Sequence, residues 1–359
     1  MPTLFDPVRI GAIEAPNRIF MAPLTRARGT REHLPTPVMA EYYRQRASAG
    51  LIVSEATGIS QEGLGWPFAT GIWSDEQVRG WAKVTTAVHE AGGRIFCQLW
   101  HMGRVVHPSL RDGALPVSAS ATTAPGLAHT YEGKQPHAQA RALDTGEIRR
   151  VIEDYRQAAS NALKAGFDGV QIHAANGYLI DQFLRASANH RDDAYGGPIA
   201  NRVRLLGEVC EAVAGIVGPD RLAVRLSPNG ESQGVNDPEP EPLFVAAARS
   251  LSALGIAFLE LREPPPDGTR GKPDHPAIAP AIRLAFKGTL VLNSDFDGTR
   301  ASAAVSSGAA DAITFGRPFL ANPDLPARLR LGASLNDDDM ETWYSQGIEG
   351  YLDYPALAG

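Results

Sequence analysis

Short apolar runs recur along the chain between turn residues, and they predict the buried strands of a parallel sheet. The predicted strands cover residues 18–22, 51–54, 94–99, 169–173, 222–226, 257–261, 289–292 and 312–315. Segments with apolar residues at helical spacing separate most of them, and the clearest are residues 75–91, 145–165 and 201–217. In the first, Asp75 is expected to cap the helix and Gly92-Gly93 to end it. Eight alternating strands and helices predict an α/β fold, a closed (β/α)8 barrel of the TIM type.

Two segments fall outside this alternation. Residues 10–14 predict a small hairpin that covers the bottom of the barrel. Residues 101–143 contain no clear helix and are rich in Pro, Ala, Ser, Thr and Gly. Because they follow the third strand, they are expected to lie over the catalytic face as a lid. No linker, charge block or internal repeat marks a second domain, so residues 1–359 are predicted to form one barrel domain.

Composition narrows the classes of function. The chain of 359 residues is 43% hydrophobic, carries a net charge of −6 and therefore offers no basic surface for nucleic acid or an anionic membrane. Its apolar runs are far shorter than a membrane span, and its start does not resemble a signal peptide. With only Cys97 and Cys210, a cytoplasmic protein without disulfides is the expectation. Arg26, Arg28 and Arg31 cluster in a glycine-containing loop, and we expect them to be solvated.

The segment after the fourth predicted strand carries the most concentrated candidate chemistry. His173 ends the apolar run, Asn176 follows three residues later, and Tyr178 comes two residues after that. The carboxyl ends of strands are where α/β barrels place their catalytic residues. On this segment alone, a buried histidine satisfied by its neighbours is an equally good interpretation.

Polar side chains also follow the other predicted strands, and parallel strands would bring them to one face. They include Thr25, Glu55, Gln98, Trp100, Arg225, Ser227, Asn293, Ser294, Asp295, Gly316 and Arg317. An amide, a hydroxyl and an arginine could recognise a planar heterocycle with carbonyl and ring-nitrogen acceptors. A buried Arg225 needs an anionic partner, which could be Glu55, Glu260 or a group that gains negative charge during a reaction. Gly316-Arg317 after the last strand indicates a phosphate site.

Several familiar motifs are incomplete or absent. Gly63-Leu64-Gly65 starts like a dinucleotide fingerprint but lacks the third glycine, and His89-Glu90 lacks the second histidine of a zinc motif. A Gly-x-Ser-x-Gly segment and a Walker loop are also absent. We therefore expect neither a separate nucleotide domain nor a metal site.

At this point the motifs resemble those of a known family, the Old Yellow Enzyme family of FMN-dependent ene-reductases, over nearly the whole chain. The segments that carry the resemblance are Met21-Ala22-Pro23-Leu24-Thr25-Arg26, Gln98-Leu99-Trp100-His101-Met102-Gly103-Arg104, His173-Ala174-Ala175-Asn176-Gly177-Tyr178, Tyr195-Gly196-Gly197, Arg225-Leu226-Ser227-Pro228 and Phe315-Gly316-Arg317-Pro318-Phe319. The family fold is a (β/α)8 barrel that binds FMN non-covalently at its C-terminal face, which agrees with the strand count. Thr25, where other relatives have Cys, resembles the classical branch.

The resemblance implies a cofactor role for a defined set of residues. Thr25 would bind the flavin C4 carbonyl, Gln98 the pyrimidine edge, and Arg225 the region of N1 and the C2 carbonyl. The other implied FMN-binding residues are Pro23, Leu24 and Ala56 at the ring, and Ser294, Asp295, Gly316 and Arg317 at the phosphate. Asp295 lies where many relatives have glycine-rich backbone, and it would repel a phosphate unless it points away.

The implied activity is the reduction of activated alkenes, namely α,β-unsaturated aldehydes and ketones, maleimides and nitroalkenes. In a ping-pong cycle, hydride would pass from NADPH or NADH to FMN N5 and then to the β-carbon of the alkene. His173 and Asn176 would bind the carbonyl or nitro oxygen, and Tyr178 would protonate the α-carbon. Trp66, Trp100 and Tyr344 would form pocket walls.

Two other functions stay open on the residues alone. A flavin-free aldolase or isomerase would need a Schiff-base lysine or a metal cluster at a strand end. A barrel used only for binding is the other alternative, although His173, Asn176 and Tyr178 argue against it. The sequence is compatible with a monomer or a homodimer.

Overall fold

Eight parallel strands close into a barrel in a computed structural model that describes residues 1–230, 232–269 and 271–357. Residues 231, 270, 358 and 359 of the predicted 1–359 domain lie outside the described part. The barrel strands are β1 (Ile19–Met21), β2 (Leu51–Gly58), β3 (Ile95–Trp100), β4 (Gly169–Ala174), β5 (Leu222–Leu226), β6 (Phe258–Arg262), β7 (Thr289–Asn293) and β8 (Ala312–Phe315). The sheet closes through the pairing of β8 with β1, so the predicted (β/α)8 barrel is confirmed.

The strand β2 is longer than the sequence pattern predicted. It continues from Leu51 through Gly58 and is buried throughout, whereas the predicted strand ended at residue 54. The prediction stopped because Glu55 is charged, but the fold buries this side chain completely, and its backbone N–H donates to the hydroxyl of Tyr43 at 2.8 Å. The extension places Ala56 near the mouth of the barrel.

Helices surround the barrel and alternate with its strands. They are α1 (Pro37–Gln45), α2 (Asp75–Glu90), α3 (Thr145–Lys164), α4 (Leu179–Leu184), α5 (Ile199–Arg202), α6 (Arg204–Val217), α7 (Pro240–Leu254), α8 (Ala279–Ala285), α9 (Gly298–Ser306), α10 (Arg317–Ala321) and α11 (Leu325–Leu331). Among the described residues, no helix is long and apolar enough to cross a membrane.

Two helix predictions need correction. The cap of α2 is Ser74 instead of Asp75, because the Ser74 hydroxyl accepts from the Gln77 backbone in a reciprocal capping box. The helix predicted at residues 201–217 is divided into α5 and α6 at Val203.

The predicted hairpin forms at the amino-terminal end of the barrel. Val8–Ile10 pairs antiparallel with Ile13–Ala15. Ile10 and Ile13 pack in one buried cluster with Phe20, Phe96 and Phe258 from the barrel strands. The cluster closes the bottom of the barrel and leaves the opposite, carboxyl end open for a site.

Residues 101–143 form the excursion after β3, and they contain short elements that the sequence pattern did not predict. A hairpin joins Leu127–Thr130 to Gly133–Pro136, and Val117–Ser118 pairs with Arg141–Ala142. The hairpin brings the His129 ring to 4.2 Å from the Trp66 ring, in a stacked arrangement. The excursion therefore reaches a residue predicted to form a pocket wall.

The prediction that the arginine cluster is solvated is wrong for Arg26 and Arg28, which are 1% and 2% exposed. Arg28 donates to four backbone carbonyls between residues 342 and 349, at 3.0–3.3 Å. Arg26 donates to the carbonyls of Trp343 and Gly350, and both guanidinium groups lie over the Tyr351 ring. The two arginines hold a carboxyl-terminal segment that lies more than 300 positions away along the chain.

Arg28→Met tests this attachment, because it removes the guanidinium donors and keeps most of the side chain's apolar length. A loss of about 1.4 kcal/mol in the local opening free energy would raise the open population roughly tenfold. We expect chymotrypsin to cleave after Trp343, Tyr344 or Tyr351 faster by that factor, as measured by mass spectrometry of the released fragment.

Arg31→Met is the matched control, because the Arg31 guanidinium lies over Tyr131 at 4.4 Å. Its cleavage rate should equal that of the native protein. Equal rates in all three proteins would contradict the assigned role of Arg28.

Candidate active site

Two adjoining cavities open where the barrel strands end. The first has a volume of about 240 Å³ and the second about 570 Å³, and they share Leu24, Arg225, Arg317 and Trp343. Of the residues predicted from the sequence, the first cavity brings together Pro23, Leu24, Thr25, Ala56, Trp66, Gln98, Trp100, His173, Asn176, Tyr178, Arg225, Arg317 and Tyr344. The second adds Ser294, Asp295 and Gly316. All the predicted site residues therefore lie at one end of the barrel.

His173 presents a neutral imidazole with a defined proton position. Its Nδ1 accepts a hydrogen bond from the Ala175 backbone N–H at 3.3 Å, so the ring proton is on Nε2. Burial, together with the charge of Arg225, lowers the pKa of His173 well below its ordinary value. At neutral pH this side chain is a hydrogen-bond donor through Nε2 and carries no charge.

A tight turn directs the two residues that follow. Asn176 has φ 57° and Gly177 has φ 75°, both in the left-handed region. A Cβ atom on Gly177 would come within 2.6 Å of the Ser232 carbonyl oxygen, so the turn requires glycine. The Asn176 backbone N–H donates to the Ser227 hydroxyl at 2.7 Å, which fixes the turn against the end of β5. As a result, Asn176 and Tyr178 both line the first cavity.

Tyr178 is held by aromatic neighbours. Its ring packs edge-on against His173, at a centroid distance of 4.9 Å, and against Trp100 at 5.0 Å. Burial raises the pKa of the Tyr178 hydroxyl above its ordinary value of about 10. The hydroxyl therefore stays protonated at neutral pH and can donate a proton.

The anionic partner of Arg225 is Glu260, one of the two carboxylates considered from the sequence. The Glu260 carboxylate lies 3.4 Å from Arg225 Nε, and Arg225 also donates to Asn293 Oδ1 at 2.7 Å. The charges that act on Glu55 are instead those of Arg26 and Arg28, and both lower its pKa. Burial nevertheless raises the pKa of Glu55 to about 8.

The second cavity contains an ion pair that bears on the predicted phosphate site. Arg317 donates to the Asp295 carboxylate at 2.5 Å, and Asp295 also accepts from the Thr269 backbone at 2.8 Å. Ser294 and Asp295 have φ values of 116° and 49°, although neither is glycine. The backbone therefore adopts the conformation that glycine favours, but the Asp295 side chain does not point away from Arg317.

Some residues at the cavities were not predicted. Trp343 borders both cavities, Leu320 lines the first, and Thr269 lines the second. Trp343 precedes the predicted Tyr344, so an aromatic pair near the end of the chain was a usable signal. Thr269 lies between β6 and α8 in a segment without periodicity, and its pairing with Asp295 leaves no sequence signature.

Known proteins resemble this chain over nearly its whole length. Residues 3–336 match the NADH:flavin oxidoreductase / NADH oxidase family. An Old Yellow Enzyme homologue from Zymomonas mobilis is 62% identical over 99% of this chain and 100% of its own, with a TM-score of 0.98. Morphinone reductase, solved with tetrahydroNAD, is 46% identical over 100% and 98% of the two chains, with a TM-score of 0.94. A Leishmania infantum protein named "Probable flavin mononucleotide-dependent alkene reductase" is 42% identical, and the match covers 99% of this chain and 97% of that protein.

The fold and the site define an FMN-dependent oxidoreductase built on a (β/α)8 barrel. The chain belongs to the NADH:flavin oxidoreductase / NADH oxidase family. The family includes Old Yellow Enzyme homologues, and its characteristic activity is that of an ene-reductase. The predicted family is therefore confirmed, together with FMN as the cofactor and a nicotinamide as the hydride donor.

Unused polar atoms at the cavities fit such a cofactor. Among the described residues, Thr314 Oγ1 is buried without a hydrogen-bond partner, and Thr314 borders the second cavity. Arg225 borders both cavities, and its guanidinium is a donor that could serve an acceptor of the cofactor. A flavin ring with carbonyl oxygens and a phosphate-bearing side chain offers acceptors for such donors.

Asp295→Asn tests how the acidic residue affects cofactor binding. If the phosphate of FMN binds at Arg317, the native carboxylate would compete with it and repel it, so its removal should strengthen FMN binding by roughly tenfold, or about 1.4 kcal/mol. The measurement is a titration of apoprotein with FMN, followed by quenching of flavin fluorescence.

Asp267→Asn is the control for this titration. Asp267 borders the same cavity, but its carboxylate is 77% exposed and pairs with Arg300. This change should leave FMN affinity within about twofold, because exposed charges are screened. Weaker binding by Asp295→Asn would instead mean that Asp295 orients Arg317 for the phosphate.

Proposed function

We propose that this protein reduces activated C=C bonds in α,β-unsaturated aldehydes and ketones, maleimides and nitroalkenes, with NADPH or NADH as the hydride donor. The observation that carries the proposal is His173, which is protonated on Nε2 and lines the same cavity as Asn176 and Tyr178. Two hydrogen-bond donors and one proton donor around a single pocket are the groups that polarised alkene reduction needs.

Residues of both cavities would hold FMN, which supplies hydride transfer from the nicotinamide to the alkene through its N5. Thr25, Gln98 and Arg225 would bind the ring, and Pro23, Leu24 and Ala56 would contact its face and edge. Arg317, Gly316 and Ser294 would hold the phosphate. Support comes from the shared cavity boundary at Arg225 and Arg317, which allows one molecule to extend from the first cavity into the second.

His173 and Asn176 would act together on the substrate oxygen. Both side chains can donate a hydrogen bond to a carbonyl or nitro oxygen, which becomes more negative as hydride reaches the β-carbon. Each such donor is worth about 2.7–4 kcal/mol of barrier in comparable oxyanion sites. The low pKa of His173 supports this role, because a neutral imidazole donates one hydrogen bond without releasing a proton.

Tyr178 would complete the reaction by protonating the α-carbon. Its ring packs beside His173, and the residue lines the cavity that would bind the polarised alkene, which supports this role. Because the pKa of Tyr178 is raised, the hydroxyl is fully protonated at neutral pH, as a general acid must be.

The two half-reactions would use the same pocket in turn, in a ping-pong cycle. The aromatic side chains of Trp66, Trp100 and Tyr344 line the first cavity and offer flat surfaces for a nicotinamide or an alkene. The structure of morphinone reductase with tetrahydroNAD supports access of a nicotinamide to such a site in a relative. Residues 101–143 would act as the lid, since their hairpin contacts Trp66 through His129.

Tyr178→Phe separates the two half-reactions. We expect anaerobic flavin reduction by NADPH to keep its rate within about twofold, because the tyrosine takes no part in that step. Reoxidation by 2-cyclohexenone should slow by roughly 100-fold or more, the usual value of a positioned general acid. Stopped-flow absorbance of the flavin measures both rates.

Tyr131→Phe is the control, since it removes a phenol hydroxyl from the excursion, where the ring packs on Phe68. Both half-reactions should keep their native rates in this variant. If Tyr178→Phe slows reduction and reoxidation equally, Tyr178 is not the proton donor.

A further inference from the structure

A row of buried polar side chains runs through the barrel interior beside the first cavity. Gln98 on β3 donates through Nε2 to Gln171 Oε1 on β4 at 2.7 Å. Gln171 in turn donates through Nε2 to Glu260 Oε2 on β6, also at 2.7 Å. Glu260 then faces Arg225 on β5, so the row joins two side chains that line the cavity through two that do not.

The strand register explains the first and the last of these three contacts, and the Gln171–Glu260 bond spans the barrel interior past β5. Gln171 pairs with Gln98 across β4 and β3, and Arg225 pairs with Glu260 across β5 and β6. Paired residues of adjacent parallel strands point to the same side of the sheet. The arrangement is therefore fixed by the barrel itself and does not depend on a loop.

Glu260 is fully buried, and its second carboxylate oxygen is incompletely satisfied. Oε1 lies 3.4 Å from Arg225 Nε, and among the described residues neither atom has a hydrogen-bond partner. The interaction is consequently an electrostatic pairing without a directed hydrogen bond. In a dry barrel interior such a pairing acts strongly on nearby charges, since solvent screens it little.

We propose that Glu260 is a positioning residue and buried counter-charge that holds down the reduction potential of bound FMN by offsetting the positive charge of Arg225. The inference rests on the proposed contact of Arg225 with the flavin ring. Two-electron reduction places negative charge on that ring, and Arg225 alone would favour this charge. A carboxylate 3.4 Å from the guanidinium opposes it, so the reduced flavin is less stable and gives up its hydride more readily.

Gln171 has a separate part in the arrangement. It is neutral, and it fixes Glu260 Oε2 while orienting the Gln98 amide. A change at Gln171 therefore disturbs hydrogen bonds and leaves the Glu260 charge in place. This difference separates an effect of charge from an effect of packing.

Glu260→Gln in the FMN-loaded protein tests the proposal, with the midpoint potential measured anaerobically at pH 7 against a reference dye. At a fixed solution potential, the ratio of reduced to oxidised FMN should rise at least roughly tenfold, equivalent to about 30 mV for a two-electron couple. Glu260→Asp, which keeps the charge, should stay within about threefold of the native ratio. If Glu260→Gln does not retain FMN, Glu260→Met removes the charge at similar volume.

Two controls make the result specific. Glu55→Gln removes another buried carboxyl group, which its raised pKa of about 8 keeps largely neutral at pH 7, so the ratio should change little. Gln171→Met keeps the Glu260 charge, and its shift should be smaller than that of Glu260→Gln. An unchanged or lowered ratio in Glu260→Gln, or an equal shift in Gln171→Met, would overturn the proposal.

A separate variant tests whether FMN binds next to Arg225 at all. Arg225→Met should lower the reduced-to-oxidised ratio, because it removes positive charge next to the flavin ring. If that ratio does not change, then Arg225 does not contact the ring and the placement of FMN is wrong. If Arg225→Met lowers the ratio while Glu260→Gln leaves it unchanged, only the proposed role of Glu260 is wrong.

Discussion

The burial of the Arg225 cation at the mouth of the barrel is the constraint on which the site depends. A buried guanidinium needs anionic and neutral acceptors, and the strand register supplies Glu260 and Asn293. Burial lowers the pKa of His173 on the adjacent strand, and the charge of Arg225 lowers it further, so that imidazole is a neutral donor. The cation that could bind the cofactor thus adds to the effect of burial on the side chain proposed to bind substrate.

Distant parts of the chain form the walls of the first cavity. The excursion after β3 contacts Trp66 through His129, and the carboxyl-terminal segment brings Trp343 and Tyr344 to the same place. The carboxyl-terminal segment has few helices or strands of its own. Its backbone carbonyls accept hydrogen bonds from Arg26 and Arg28, the two buried arginines that follow β1. The pocket shape therefore depends on attachments made far from the barrel strands in sequence.

The sequence predicted the barrel well because each strand is buried on both faces and leaves a continuous apolar run. It also placed the site residues, since polar residues after parallel strands converge at one end. The failures have a common physical cause. Local periodicity does not show that Arg28 binds a segment some 300 positions away, or that Arg225 pairs with Glu260 and not with Glu55. It also ended β2 too early, because burial of Glu55 depends on neighbours outside that strand.

A crystal structure of the FMN-bound, oxidised protein with 2-cyclohexenone would test the central claim most directly. The isoalloxazine ring should lie at the carboxyl ends of the strands, with its pyrimidine edge at Gln98 and Arg225. The enone oxygen should lie within hydrogen-bonding distance of His173 Nε2 and the Asn176 amide. A barrel mouth without flavin, or a flavin with His173 and Asn176 both turned toward the core, would contradict it.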